Sequence, residues 1–195
     1  MSKSTNAIIR EKFTSYTQIK KVSKIKRGIA FLVDWYISTL LAGIPILYMY
    51  SVQSGNTDVP ESLNQFAGNL GIIAGLIGII IITIYYVIVP LKIRKGQTLG
   101  KSILGIKVVQ NDGSEITTRS RITREILGVM LVEAGLVSSS KYLREIFLIV
   151  GFNSLYRILA IVAMIIPFIS ILIMVFSKES KMIHDIIGGT KVVNV

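Results

Sequence analysis

Three stretches of this chain are too apolar and too long for the surface of a soluble protein. Residues 28–50 carry a single charge, at Asp34, whereas residues 62–91 and 158–177 carry none. An α-helix rises about 1.5 Å per residue and the apolar core of a bilayer is about 30 Å thick, so about 20 apolar residues cross it. The whole chain agrees, since its mean hydropathy is +0.63 and 17% of its 195 residues are charged. The sequence therefore predicts an integral membrane protein.

The charged residues around these stretches predict an orientation. Residues 52–68 contain Asp58 and Glu61 but neither Lys nor Arg. Basic residues accumulate on the cytoplasmic side of membrane proteins and attract anionic lipid headgroups there. We therefore expect the amino terminus and residues 92–125 in the cytoplasm, and residues 52–68 outside. The basic residues that flank the stretches are Lys12, Lys20, Lys21, Lys24, Lys26, Arg27, Lys92, Arg94, Lys95, Lys101, Lys107, Lys178 and Lys181.

The same charge pattern predicts the partners and the domains. A net charge of +11 could suit a nucleic-acid-binding protein, but the basic residues are not interleaved with aromatic side chains in the way that such a surface requires. We expect the lipid bilayer and its anionic headgroups as partners, and no nucleic acid. Residues 1–26 are predicted to form a basic cytoplasmic segment, and residues 27–195 one transmembrane domain.

A polar insert after the second stretch predicts a short cytoplasmic β-hairpin. Residues 106–109 are β-prone, residues 111–113 read Asn-Asp-Gly, which favours a tight turn, and residues 116–118 would return. The chain ends in "GGTKVVNV", which repeats the Lys-Val-Val of "GIKVVQND". These two segments could pair in one small sheet, and the carboxyl terminus would then also be cytoplasmic.

The number of membrane crossings is open between three and four. A cytoplasmic carboxyl terminus needs an even number, yet residues 126–140, interrupted by Glu133, and residues 146–156 are short for a span. Either one of these runs crosses, or both lie at the membrane interface as amphipathic helices. We favour four crossings. The predicted fold class is an all-α integral membrane protein, a small bundle of three to four transmembrane helices with a short cytoplasmic β-hairpin.

A small-residue motif lies in the second apolar stretch. Gly71 and Gly75 form Gly-x-x-x-Gly, a spacing that lets transmembrane helices approach closely. The motif indicates either a homo-oligomer formed through this face or a general close-packing surface within the chain.

Asp34 is the most informative charged residue. Near the centre of a span an unpaired carboxylate costs roughly 2.5–3.5 kcal/mol on insertion scales, so the group should be protonated, paired or in contact with water. Arg27 precedes it by two helical turns on nearly the same face, about 10 Å along the axis. Because direct contact would need both side chains to stretch, we expect Asp34 to find its partner on another helix.

Asp185 and its neighbours supply further candidates. Asp185 should lie at the cytoplasmic boundary with Arg27, so these two residues are predicted to exchange charge. His184 is the only histidine and could relay protons, but one histidine in a chain without cysteine does not make a zinc site. Glu133 is a secondary candidate that we expect to be exposed on an interfacial helix. We predict no metal site.

Residues 96–102, "GQTLGKS", lack one residue of the phosphate-binding P-loop pattern. They also follow an apolar span instead of a buried strand, so we expect no nucleotide cofactor. Leu99, Ile103 and Ile106 form an apolar stripe that could lie on the bilayer surface, with Lys101 extending to the headgroups. The sequence also lacks His-Glu-x-x-His and Gly-x-Ser-x-Gly, and we predict that the protein is not an enzyme and has no cofactor.

Four motifs in order carry a family resemblance: "RGIAFLVDWYI", "KGQTLGKSILGIKVV", "RSRITREILG" and "MIHDIIGGTKVV". The chain resembles the RDD family of multi-pass bacterial membrane proteins, named for one Arg and two Asp. Arg27, Asp34 and Asp185 occupy those positions, and Arg124 lies within the third motif as a secondary candidate. The resemblance implies a small helical domain in the bacterial cytoplasmic membrane, with transport proposed for the family and cation/proton exchange for some members.

Two functional hypotheses follow, and of these we favour the first, transport, with the second as the alternative. In the first, the protein exchanges a monovalent cation for a proton, with Asp34 as the accepting carboxylate and with Arg27 and Asp185 setting its protonation. In the second, the protein is a non-transporting membrane scaffold or accessory subunit, and the three charged residues only hold the helices. A hydrated cavity that reaches Asp34 would favour transport, and a dry, paired set would favour the scaffold.

Overall fold

The computed structural model describes residues 22–195, so residues 1–21 of the predicted basic segment 1–26 lie outside the described residues. The helices form a bundle with a small sheet at one end. They are α1 (Lys24–Ser54), α2 (Leu70–Ile93, whose second part Ile84–Ile93 is wound as a π-helix), α3 (Leu99–Ile103), α4 (Thr118–Glu133, π-helical from Thr123), α5 (Ser138–Ile149), α6 (Asn153–Phe176) and α7 (Ile183–Gly188).

Three of these helices, α1, α2 and α6, are long and apolar enough to cross a membrane. Their outward faces expose large aliphatic and aromatic side chains, and α6 is the least buried of the three. Such surface is unfavourable in water and favourable in lipid. The predicted apolar stretches are thus confirmed as helices, except that residues 62–69 form a loop with a short 3-10 turn before α2.

Helices α4 and α5 form a bent pair that supplies a fourth traverse of the bundle. They meet at an angle of 56° across residues 134–137, where Ala134 has a left-handed backbone with φ of 40°. The far end of the pair reaches the loop before α2, because the Leu63 N–H donates to the Glu145 carboxylate at 3.0 Å. The helical segments therefore differ from the predicted apolar runs 126–140 and 146–156, and the described helices provide three candidate spans, or four if the bent pair is one span.

The two ends of the bundle are chemically different. The sheet end carries β1 (Ile106–Gln110) and β2 (Thr190–Asn194), which pair antiparallel with Val108 opposite Val192. The loop end carries residues 55–69. The prediction that the two Lys-Val-Val segments pair is confirmed, and this pairing places residues 106–110 and 190–194 at the same end.

The predicted hairpin is wrong in its second strand. Within the described residues, 116–118 form no strand, and only Glu115, just before them, makes an isolated bridge with Val109. Thr117 instead caps the amino terminus of α4, its hydroxyl accepting from the Ser120 N–H at 3.2 Å. A capping hydroxyl stabilises a helix start, so residues 116–118 begin a helix, and β2 takes the place of the return strand.

The Gly-x-x-x-Gly face of α2 is covered within the chain. A side chain at Gly71 would collide with the Leu63 carbonyl oxygen, and one at Gly75 would collide with Leu63 and Ile146. The two glycines therefore let the loop and α5 pack closely on α2, which is the second of the two interpretations that the motif allowed. A homo-oligomer through this face would need those contacts to open.

Candidate functional site

A carboxyl-binding site surrounds Asp34, which is completely buried in α1. Its Oδ1 accepts from the Tyr85 hydroxyl at 2.6 Å and from the Gly100 N–H at 2.7 Å. Its Oδ2 accepts from the Thr98 hydroxyl and from Lys101 Nζ at 3.3 Å. The expectation that Asp34 finds partners outside its own helix is confirmed, and we call these five residues the Asp34 site.

The near-P-loop stretch therefore binds a carboxyl group of its own chain. Thr98, Gly100 and Lys101 all belong to "GQTLGKS", and a side chain at Gly100 would collide with the Ala30 carbonyl oxygen and with the Asp34 carboxyl. The expectation that Lys101 extends outward to headgroups at the bilayer surface is wrong, because its side chain is 13% exposed and points inward to Asp34. The apolar stripe is also divided, since Ile106 is buried in β1 while Ile103 is exposed.

A second buried cluster is centred on Asp185 in α7. Its Oδ2 accepts from Arg27 Nη2 at 2.5 Å and from the Met182 N–H at 3.0 Å. Its Oδ1 accepts from Arg124 Nη2 at 3.2 Å and Nε at 3.3 Å. The predicted charge exchange between Arg27 and Asp185 is confirmed, whereas Asp34 belongs to the other site.

The Asp185 cluster continues through α4 to residues that the sequence analysis did not select. Glu125 forms ion pairs with Arg124 and, at 3.0 Å, with Arg121. Arg121 is fully buried, and its Nε and Nη2 have no hydrogen-bond partner among the described residues. The signal that could have found them is the third motif, "RSRITREILG", in which Arg124 and Glu125 follow Arg121 by three and four residues. Residues at these spacings are neighbours on one face of a helix.

Glu133 is buried rather than exposed, so the prediction for this residue is wrong. Its Oε2 lies 2.8 Å from His184 Nδ1, and its Oε1 accepts from the His184 N–H at 3.0 Å and from the Ser170 hydroxyl at 2.5 Å. A carboxyl at the end of α4 is thereby tied to both α6 and α7. One charged residue in an apolar run is typical of an exposed helix position, but α6 and α7 cover Glu133 in this fold.

Each buried carboxyl group of these sites has a basic partner. Asp34 faces Lys101, and Asp185 faces Arg27 and Arg124. Glu125 faces Arg121 and Arg124, and Glu133 faces His184. Burial on its own would raise the pKa of Asp185, but the neighbouring His184, Arg27 and Arg124 hold that pKa far below its ordinary value. Buried charges are tolerated when they are paired and hydrogen-bonded, which is the case here apart from the two nitrogens of Arg121.

A cavity of about 260 Å³ lies between the two clusters at the sheet end. Its walls are mostly apolar, and its charged lining consists of Arg27, Lys101, Arg124 and Glu125, with the His184 imidazole beside them. Among the described residues that line it, neither Asp34 nor Asp185 is present. The cavity therefore touches the basic partners of both carboxyl groups without reaching those carboxyl groups.

The described part of the chain contains no group of three or more His, Cys, Asp or Glu side chains that could hold a metal ion.

Residues 22–189 match the sequence profile of the RDD family. Comparison with curated proteins found no match, and comparison with solved structures found none either.

Proposed function

This chain belongs to the RDD family, and from that premise we propose that it is a multi-pass membrane scaffold or accessory subunit whose buried charges lock the helices. One observation carries this proposal. Asp34 and Asp185 are both fully buried, and each carboxyl group accepts four hydrogen bonds. All four donors to Asp34 lie outside α1. The donors to Asp185 belong to Arg27 of α1, Arg124 of α4 and the Met182 N–H just before α7.

The locking follows from which elements the bonds join. Asp34 ties α1 to α2 through Tyr85 and to α3 through Gly100. Asp185 ties α7 to α1 through Arg27 and to α4 through Arg124. Because helices in lipid gain little from burying apolar side chains against one another, hydrogen bonds and close packing decide how they associate. The proposal gives these occupied groups a structural role and no catalytic one.

The proposed orientation places the sheet end in the cytoplasm. The described basic residues of that end include Lys24, Lys26, Lys92 and Lys95, whereas the loop at residues 55–69 carries only acidic charges. Four traverses with β1 and β2 on one side put both termini in the cytoplasm. The membrane is then the bacterial cytoplasmic membrane, as for the family that the sequence resembles.

Cation/proton exchange is the second candidate. His184 lines the cavity and lies 2.8 Å from the buried Glu133, so an imidazole that contacts a buried carboxyl group adjoins space large enough for water. A transport path would need a state in which the Asp34 site opens into that cavity.

Flux and stability measured on the same variant separate the two candidates. The full-length protein and Asp34→Asn are purified, melted in neutral detergent, and reconstituted into vesicles with a cation gradient and a pH-sensitive dye. The scaffold proposal expects a lower melting temperature for Asp34→Asn and no proton flux above protein-free vesicles for either protein. A wild-type flux that Asp34→Asn abolishes at an unchanged melting temperature would contradict it and support exchange.

A further inference from the structure

The cavity at the sheet end has one apolar flank and one basic flank. Phe31 of α1 and Ile171 and Met174 of α6 line the apolar flank. Helices α1 and α6 do not pack closely against each other along the described chain, and a hydrogen bond from Lys24 Nζ to the Val175 carbonyl joins them at the end of the bundle. The gap between two outward-facing apolar helices is therefore lined by side chains that suit an aliphatic chain.

The basic flank presents three cations and one acid, Glu125, to the cavity, while two further carboxyl groups lie behind the cations. Arg27, Lys101 and Arg124 line the space, whereas their partners Asp34 and Asp185 do not. Arg27 uses only Nη2 for Asp185 among the described residues, and a guanidinium carries five N–H donors. Donors are thus available to a further anion, and an anion in the cavity would lie closer to the cations than to the carboxyl groups behind them.

From these two flanks we propose that the cavity binds one anionic membrane lipid. Its phosphate would lie against Arg27, Lys101 and Arg124, and an acyl chain would run between Phe31, Ile171 and Met174. This inference goes beyond the scaffold role, because it assigns a ligand to space that the locking charges leave open.

Other occupants fit less well. A free phosphate would leave the apolar flank unused, and a neutral lipid would leave the cations unused. Residues 1–21 contain five basic residues and one acidic residue, so their charge does not complement the cavity. The location agrees with a lipid as well, since Arg27 lies in the first turn of α1, at the depth where a headgroup meets the apolar core.

Gly28 allows the cavity to be filled without touching a charge. It lines the cavity, and a side-chain carbon built on it meets no atom within 4 Å. Gly28→Leu should therefore occupy the space that the acyl chain would take. Gly43 lies on the same helix, is equally open at that distance and is not part of the lining, so Gly43→Leu is the matched control.

The test is native mass spectrometry of the full-length protein, released into neutral detergent from vesicles of equal parts phosphatidylglycerol and phosphatidylcholine. We expect one retained phosphatidylglycerol on the wild type and on Gly43→Leu, and an at least tenfold smaller lipid-bound fraction on Gly28→Leu. Met174→Trp, which fills the cavity from α6, should give the same loss. Melting temperatures of all variants establish that the loss does not come from unfolding.

Three results would overturn the assignment. Gly28→Leu and Met174→Trp could both retain the lipid as the wild type does. Phosphatidylcholine could be retained as strongly as phosphatidylglycerol, which would remove the role of the cations. Millimolar inorganic phosphate could displace the lipid, which would make phosphate alone the ligand. The lipid experiment and the flux experiment can fail separately. The first measures lipid retention on cavity variants, and the second measures ion flux on Asp34→Asn.

Discussion

The Asp34 site and the Asp185 cluster bury a carboxyl group completely in two different ways. Asp34 accepts from two hydroxyls and one backbone N–H, and only Lys101 brings a charge, at 3.3 Å. Asp185 accepts from one backbone N–H and from two guanidiniums, on Arg27 and Arg124. One site relies chiefly on neutral donors and close backbone approach, and the other on opposite charges.

The difference predicts how each site fails. Removing one partner of a buried ion pair leaves the other charge uncompensated, which is strongly destabilising. Removing one neutral donor from a carboxyl group that keeps three others costs much less. The Asp185 cluster should therefore be sensitive to charge, and the Asp34 site to shape and to the number of donors.

The largest expected effect is that of Asp185→Asn. The change leaves Arg27 and Arg124 buried without their shared counter-charge, and we expect a loss of about 3–5 kcal/mol in unfolding free energy. Denaturant titration of the purified protein in neutral detergent measures it. Asp58→Asn, an isosteric change of an exposed aspartate in the loop before α2 whose carboxyl group has no hydrogen bond or ion pair among the described residues, is the control and should leave the stability unchanged. A loss below about 1 kcal/mol for Asp185→Asn would remove the contrast between the two sites.

Acidification should reproduce part of that loss. Because the folded-state pKa of Asp185 lies below its ordinary value, the stabilisation is fully present above an unfolded-state pKa of about 3.9 and declines as the pH falls below it. We expect the unfolding free energy of the wild type to fall more steeply below about pH 4 than that of Asp185→Asn. Parallel curves for the two proteins would show that Asp185 does not contribute to the acid sensitivity.

Gly100→Ala tests whether the Asp34 site depends on shape. A methyl group there would meet the Ala30 carbonyl oxygen and lie 2.9 Å from the Asp34 carboxyl carbon, and overpacking of this kind costs about 1–3 kcal/mol. Gly28→Ala is the matched control, since its side-chain carbon meets nothing within 4 Å. Thermal melting in detergent should separate the two variants, and equal melting temperatures would contradict the close-approach argument.

Tyr85→Phe should have the smallest effect of the series. It removes the hydroxyl that donates to Asp34 Oδ1 at 2.6 Å, while that oxygen keeps the Gly100 N–H. We expect a loss of about 1 kcal/mol in unfolding free energy. Tyr86→Phe removes only a long contact of 3.4 Å with Ser38 and serves as the comparison. A Tyr85→Phe loss as large as that of Asp185→Asn would mean that the neutral donors matter as much as the ion pairs.

Parts of both sites could be predicted from the sequence. The cost of a charge in an apolar stretch selected Asp34, and the shared position at the boundary paired Arg27 with Asp185. The partners of Asp34 could not be predicted, because Thr98, Gly100 and Lys101 lie in a stretch that resembles a phosphate-binding loop. The apolar stripe of the same stretch is also typical of a segment on the bilayer surface. Glu133 was misassigned because one charge in a short apolar run is typical of an exposed helix position.

The sequence by itself determined the long helices, the charge asymmetry of the two ends and the pairing of the two Lys-Val-Val segments. Hydropathy and charge act locally along the chain, so a linear pattern is enough to predict them. Only the tertiary structure decided that α4 and α5 form one bent traverse, that Gly71 and Gly75 receive the chain's own loop, and that "GQTLGKS" binds Asp34. These outcomes depend on which helices become neighbours, and in an apolar bundle that choice is made by a few buried hydrogen bonds and close contacts between residues far apart in sequence.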